Sequence, residues 1–297
     1  MRTIKASNDL PSERKARGAF FTPPELAAFL SHWAIRRAGD RVFEPSCGEA
    51  AFLLSAAHRL QSLGAAAPIV CGIDIHEASV RHARKVLAAQ GAKASIQTGD
   101  FFSVIPPEEK YDAVIGNPPY VRYQSFSGDA RARALQAAFK QGVRLTGLAS
   151  CWAAFTLHAS AFLKPSGRLG LVLPAELLSV NYAAEIRRFL LKRFASVRLV
   201  LFEDLVFPGV LEEVVLLLAE GTGGAEQFEV LQAKNAADLK QSAGTVWTGF
   251  VPRPDEKWTP ALLPAEPWSV YRELTASPHF EVMLDWGETY LGAVTGN

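Results

Sequence analysis

The sequence predicts an α/β fold, a mostly parallel sheet of seven strands with helices on both faces. Three observations carry this expectation. Between residues 41 and 220, short β-branched or aliphatic runs alternate with longer amphipathic stretches, the pattern of strands joined by crossover helices. Apolar residues in the longer stretches recur at spacings near three and four, the period of a helix with one buried face. The longest apolar runs, 169–174 and 214–219, are strand-length and far short of the roughly 20 residues a membrane-spanning helix needs.

Taken in order, the spacing predicts a helix over 24–37 and a strand over 41–44. A helix over 50–63, a strand over 69–74, a helix over 77–90 and a strand over 95–98 continue the alternation. A strand over 112–116 is followed by a helix over 150–163, a strand over 167–173, a helix over 183–194, and two strands over 197–202 and 214–219. The glycine-rich stretch 221–224 ends the last strong strand, so a boundary is placed there, with domains 1–222 and 223–297. Beyond it the pattern weakens to a short strand candidate at 228–232, a helix candidate at 267–276, and scattered tryptophans and prolines. There is no internal repeat and no low-complexity run.

A chain of 297 residues, 49% hydrophobic and 21% charged, is long enough to bury a proper core. The net charge of +1 lends no support to a nucleic-acid partner, which is usually met by a strongly basic face. Local clustering has to carry any such reading. Residues 1–17 are basic and polar and lack the apolar stretch of a secretory signal, so a cytoplasmic protein is expected, with no membrane partner. Cys47, Cys71 and Cys151 lie far apart in apolar surroundings and read as reduced core thiols. The six histidines show no ligand spacing, and no metal is expected.

Four stretches carry chemistry. In Val42-Phe43-Glu44-Pro45-Ser46-Cys47-Gly48 an apolar strand runs into a tight turn and then a helix. In a doubly wound sheet that is where a ligand meets exposed backbone N–H groups, and Gly48 leaves the main chain open to approach. An ordinary strand-to-helix turn explains the pattern as well. Asp74 ends the next strand 26 residues beyond Gly48, near the offset used for ribose hydroxyls, although it would also serve as a cap for the helix after it. Gly99-Asp100-Phe101-Phe102 follows the third strand and offers a carboxylate for an exocyclic amine and a ring to lie against a purine; a solvated Asp beside core phenylalanines is the alternative.

The most specific stretch is Asn117-Pro118-Pro119-Tyr120 after the strand 112–116. Two prolines remove two N–H donors and fix the main chain after a buried strand, so the Pro118 carbonyl is pinned. With the Asn117 side-chain oxygen it forms two acceptors for one NH2 group, and Tyr120 supplies an aromatic face for stacking. Phe207, between the last two strands, is placed to supply a second aromatic face, or is a hydrophobic turn residue.

In this order the residues resemble gamma-class adenine-N6 DNA methyltransferases of restriction-modification systems. The resemblance runs over 18–220, beginning with Gly18-Ala19-Phe20-Phe21-Thr22-Pro23-Pro24, which looks like the cofactor-embracing segment that precedes the first strand in that class. It implies a Rossmann-like class I methyltransferase fold and S-adenosyl-L-methionine as cofactor. Thr22, Glu44 and Gly48 would hold the methionine end, with Ser46 among the contacts, Asp74 the ribose, and Ile75, Asp100 and Phe101 the adenine. Asn117 would face both cofactor and target base. The chain departs from the pattern at Ala50, where the family turn usually carries a second glycine.

The resemblance further implies double-stranded DNA as substrate and, as partner, a cognate restriction endonuclease or specificity subunit. Residues 290–297 resemble the opening of a target recognition domain, so 223–297 is read as a linker and the incomplete start of that region. The lobe 121–148 sets Arg122, Arg131, Arg133, Lys140 and Arg144 against only Asp129, which suits DNA phosphates and equally a solvated helix face. The competing readings are a protein-glutamine N5 methyltransferase, since a glutamine amide also presents an NH2 group, an RNA adenine methyltransferase, and a non-catalytic DNA-binding subunit on the same fold.

Overall fold

The computed structural model describes residues 22–207, 212–241, 246–253, 256–263, 265–281 and 283–287. The segments 18–21 and 290–297, on which part of the resemblance falls, lie outside the described residues. The chain divides into two compact units, Met1–Trp258 and Thr259–Asn297.

All seven expected strands form: β1 (Val42–Glu44), β2 (Ile69–Asp74), β3 (Lys93–Thr98), β4 (Tyr111–Gly116), β5 (Leu163–Pro174), β6 (Ser196–Phe202) and β7 (Val214–Glu220). The sheet has nine strands rather than seven, in the order β3-β2-β1-β4-β5-β7-β6-β8-β9. β8 (Phe228–Ala233) lies parallel to β6, and β9 (Thr248–Phe250) lies antiparallel to β8. The expected boundary at 221–224 is therefore followed by more of the same sheet. There Gly221, Gly223 and Gly224, all at positive φ, form a turn inside the unit. Phe228, fully buried, stacks on Trp258 at 4.2 Å and so fastens β8 to the rest.

The helices of this unit are α1 (Pro24–Ala34), α2 (Ala51–Ser62), α3 (Glu77–Ala89), α4 (Gly128–Lys140), α5 (Cys151–Ser160), α6 (Glu176–Ser179) and α7 (Ala184–Arg193). α5 stops at Ser160, short of the expected 163, because Leu163 already begins β5 and Pro165 disfavours helical backbone at Lys164. The second unit holds a helix over Ala265–Ala276.

Strands β1 to β5 are parallel, whereas β7 runs antiparallel between β5 and β6. Leu26 and Leu30 of α1, Phe52, Leu53 and Leu60 of α2, and Val80 and Leu87 of α3 pack in one cluster with Val42, Val70 and Ile115 of the sheet. Elsewhere in the unit Phe43 stacks on Tyr111 and Phe162 at 4.9 and 5.1 Å. Arg168 of β5 is buried, pairs with Glu220 through Nε at 2.6 Å and donates to the Trp33 carbonyl, so the end of α1 is fixed to the sheet. Among the described residues no helix is long and apolar enough to cross a membrane.

The strand order reverses between β1 and β4, whose crossovers leave in opposite directions. A cleft opens at such a point beyond the carboxyl ends of the strands. Glu44 ends β1 and Asn117 follows β4, so the topology places the two most informative motifs on either side of that reversal.

Candidate active site at the β1/β4 reversal

Glu44 is only 2% exposed, and its Oε2 has no hydrogen-bond partner. Burial, and then the nearby Asp74 carboxylate, pushes it well above the ordinary carboxylate range, while the backbone N–H of Leu53 pulls the other way. A buried carboxylate with an orphaned oxygen is unfinished without a cation or donor beside it. After β1 the chain turns through Gly48 at φ 46° and Ala50 at φ 72°, and α2 begins. Ala50, at the position marked in the sequence as a departure, thus occupies a left-handed conformation that its methyl group disfavours.

Asp74 braces this turn. Its Oδ2 accepts the Gly48 N–H at 2.8 Å and its Oδ1 accepts the His76 N–H at 2.8 Å, so the acid serves both the β1 turn and the entry to α3. Gly72, one strand over, lets β2 approach: a Cβ there would lie 2.9 Å from Leu53 Cδ1 and 3.1 Å from Cys47 Cβ. Ile75 follows at the strand end and is 74% exposed.

On the β4 side, Ser46 Oγ donates to the Asn117 carbonyl at 3.1 Å, tying the two strand ends together. Asn117 Nδ2 donates to Thr22 Oγ1 at 3.4 Å, and its Oδ1 is buried without a partner. Tyr120 donates its hydroxyl to the Val172 carbonyl of β5 at 3.0 Å, and burial raises its pKa well above the usual phenol value, with Glu212 adding to the shift. The backbone N–H of Cys151, at the start of α5, holds the Val121 carbonyl at 3.0 Å and fixes the exit of the loop.

Hydrogen bonds therefore link Gly48 to Asp74, and both Ser46 and Thr22 to Asn117, while the Asp74 charge reaches Glu44. The other expected residues sit differently. Phe101 is 4% exposed, within ring-contact distance of Phe155 at 4.7 Å and His158 at 4.5 Å, so it is part of an aromatic core rather than an open face. Asp100 accepts the Phe102 N–H at 2.9 Å and the Arg133 Nε–H at 2.7 Å. Phe207 is 2% exposed and belongs to the cluster against which Tyr120 packs. Residues 208–211 after it lie outside the described residues.

Sequence reasoning missed Glu176, which follows the carboxyl end of β5. Its Oε2 accepts the Tyr182 hydroxyl at 2.5 Å and the Trp152 Nε1–H at 3.2 Å. Its charge, after burial, raises the pKa of Glu212. An acid directly after a strand-ending Pro174-Ala175 was the available signal. In the lobe, Arg131 donates to the carbonyls of Tyr123, Phe126 and Gly147, and Arg133 pairs with Asp100, so two of the five expected phosphate contacts are engaged inside the protein. Arg122, Lys140 and Arg144 are exposed. Among the described residues no three His, Cys, Asp or Glu side chains are grouped to hold a metal ion.

A parallel sheet reversing at β1/β4, a glycine turn braced by the acid of β2, and an Asn-Pro-Pro-Tyr loop after β4 define a class I methyltransferase architecture. The N-6 DNA Methylase family model matches residues 8–248, and the chain belongs to that family. The type II methyltransferase M.XamI of Xanthomonas campestris pv. amaranthicola is 28% identical over 198 residues, 65% of this chain and 37% of its own length. The chain spans 37 to 40% of M.XamI, M.BanIII and M.XhoI, about two fifths of each of these curated relatives. A methyltransferase subunit of the type I restriction-modification system from Streptococcus thermophilus shares the fold, with a TM-score of 0.61 at 17% identity over 86% of this chain and 53% of its own. Release factor glutamine methyltransferase of Bordetella pertussis is 30% identical, but over 90 residues only, 30% of this chain and 32% of its own.

Proposed function

We propose that the chain carries the catalytic centre of an S-adenosyl-L-methionine-dependent methyltransferase that modifies the exocyclic N6 of adenine in DNA. The observation that carries this reading is the Asn117 amide. Its nitrogen is engaged by Thr22, its main-chain carbonyl is held by Ser46, and its side-chain oxygen is buried and unpartnered. Such an oxygen is prepared to accept a hydrogen from an incoming amino group.

The residues fit the cofactor. Glu44, with its orphaned Oε2, suits the methionine ammonium, Asp74 the ribose, and Ile75 and Asp100 the purine. When bound, the cofactor supplies a methyl group on a sulfonium, already a reactive electrophile. What the protein adds is placement and charge stabilisation. The adenine amino lone pair is delocalised into the ring. When Asn117 Oδ1 and the Pro118 carbonyl accept both N6 hydrogens, the nitrogen is drawn toward tetrahedral geometry and its lone pair becomes available. Positive charge building on nitrogen is met by the same two oxygens. No strong base is required, because the alkylated nitrogen is acidic and its extra proton leaves by way of Asn117 Oδ1 or water.

An adenine stacked in a duplex cannot reach this pocket, so the base is flipped out. Tyr120 offers its ring face, with its hydroxyl tethered to β5, and Phe207, buried in the cluster against which Tyr120 packs, is the proposed second aromatic residue. Arg122 and Arg144 of the lobe suit the phosphates. A restriction endonuclease or specificity subunit is the expected assembly partner, in the cytoplasm.

A glutamine side chain would meet the same acceptors, and the 90-residue match to a glutamine methyltransferase keeps it as the second reading. The deciding experiment incubates the full-length protein with labelled S-adenosyl-L-methionine and mixed-sequence DNA, then digests the DNA to nucleosides. N6-methyladenine that disappears in Asn117→Ala, with cofactor binding retained, supports the DNA reading. Cofactor binding without any methylated base rejects it in favour of the glutamine substrate.

A further inference from the structure

We propose that Arg133 is a positioning residue for the adenine end of the cofactor, acting through Asp100; the inference rests on the methyltransferase reading above. The sequence places Arg133 among the cations offered to DNA, but its Nε–H is given to Asp100 Oδ2 at 2.7 Å. Asp100 Oδ1 meanwhile accepts the Phe102 N–H at 2.9 Å, which opens the short 3-10 turn Phe101–Ser103. One backbone donor and one side-chain donor, on different oxygens, fix both the position and the plane of this carboxylate. Each oxygen accepts two hydrogen bonds, so an acceptor site remains on each for a further donor. The Asp100 side chain is 21% exposed, open enough to be reached. It stands after β3 at the same carboxyl end of the parallel strands as Glu44, Asp74 and Asn117.

Without Arg133, Asp100 would keep only the Phe102 N–H among these two donors and its outer oxygen would rotate in water. The oxygen that meets an exocyclic amine would then be ordered at the moment of binding rather than beforehand, and preorganisation is what separates a good acceptor from a poor one. The lobe itself does not depend on Arg133. Arg131 closes it onto the carbonyls of Tyr123, Phe126 and Gly147, and Ala134, Ala137 and Ala138 bury the inner face of α4. The Arg133 side chain is itself 41% exposed, so shortening it removes little buried packing.

The test uses binding, with no DNA present. S-adenosylhomocysteine and its 6-deamino purine analogue are titrated calorimetrically into the parent protein, Arg133→Ala, Arg133→Gln and Arg133→Lys, with thermal melts to check folding. The expected result is that the parent prefers the amino-bearing ligand, that Arg133→Ala and Arg133→Gln weaken it by about fivefold, the scale of a half-exposed ion pair, and leave the deamino ligand unchanged. Arg133→Lys retains part of the preference. Equal weakening of both ligands, or no weakening of either, overturns the assignment. A parent protein that binds neither ligand overturns the cofactor reading itself, and this inference with it.

Discussion

Asp74 accepts the backbone N–H of Gly48 at 2.8 Å, so the acid that ends β2 holds the turn that ends β1. Its other oxygen takes the N–H of His76, the residue that caps α3, at the same distance, so Asp74 steadies the chain just before the helix without capping it. Asp74→Ala leaves two backbone donors without their charged acceptor, at about 2 kcal/mol in total for partly exposed charge-assisted bonds. Denaturant unfolding should show that loss of stability together with weaker cofactor binding. Unchanged unfolding with weakened binding would mean that Asp74 acts on the ligand alone and that the brace is incidental.

Ala50 at φ 72° is the one non-glycine residue at positive φ among the described residues. A left-handed alanine costs roughly 1–2 kcal/mol. Ala50→Gly removes that cost but gives up a fully buried methyl group and adds chain entropy to the unfolded state. The strain term is the larger, so calorimetric melting should show a gain of about 0.5 kcal/mol. A lowered melting temperature would show that the methyl contributes more to core packing than the turn loses in strain.

The seven main strands were legible because buried apolar runs between amphipathic helices leave few alternatives. The last two strands were harder. β9 is Thr248-Gly249-Phe250, too short and too poor in apolar residues to stand out, and its strand character comes from pairing with β8 and the packing of Phe250 on Phe228 at 5.1 Å. At the candidate site, the turn at Glu44 and Gly48 and the loop at Asn117 were visible as motifs because each is local in the chain. Arg133 could not be separated from its neighbours: five basic residues in a lobe look alike until one meets a carboxylate 33 positions away. Phe101 shows the same limit from the other side, since composition does not distinguish a ring that faces a purine from one that fills an aromatic core.

Glu44 gives a pH dependence with a definite sign. Its folded-state pKa is raised well above that of an ordinary glutamate, chiefly by burial, so above the unfolded value the folded protein binds more protons than the unfolded chain. Stability of the cofactor-free protein should accordingly fall as pH rises from the unfolded value through the raised folded one. An ammonium placed at Oε2 favours the carboxylate, so cofactor binding should release a proton in that window and tighten as pH rises. Glu44→Gln should remove both the pH slope and the proton release, and weaken binding by about 10- to 100-fold, the worth of a hydrogen bond to a charged group. Calorimetry in buffers of differing ionisation enthalpy reads the proton directly. Binding with no proton exchange in the parent would place the ammonium elsewhere.

Tyr120 separates two contributions that a single deletion would merge. Its hydroxyl is tethered to the Val172 carbonyl at 3.0 Å, and its ring packs against the core beside the Asn-Pro-Pro turn. Tyr120→Phe keeps the ring and loses the tether, about 1 kcal/mol of net hydrogen bonding, so stability should fall slightly and methylation by a few-fold at most. Tyr120→Ala loses the face on which a flipped base would stack, worth about 1–3 kcal/mol, and should lower the rate by roughly 10- to 100-fold. Single-turnover methylation of duplex DNA, and of DNA carrying a mismatch at the target adenine, distinguishes the steps. The mismatched base is cheaper to extrude, so it should recover part of the Tyr120→Ala loss if the ring acts on the flipped base. Equal loss on both substrates would assign Tyr120 to the architecture of the loop and leave stacking to another residue.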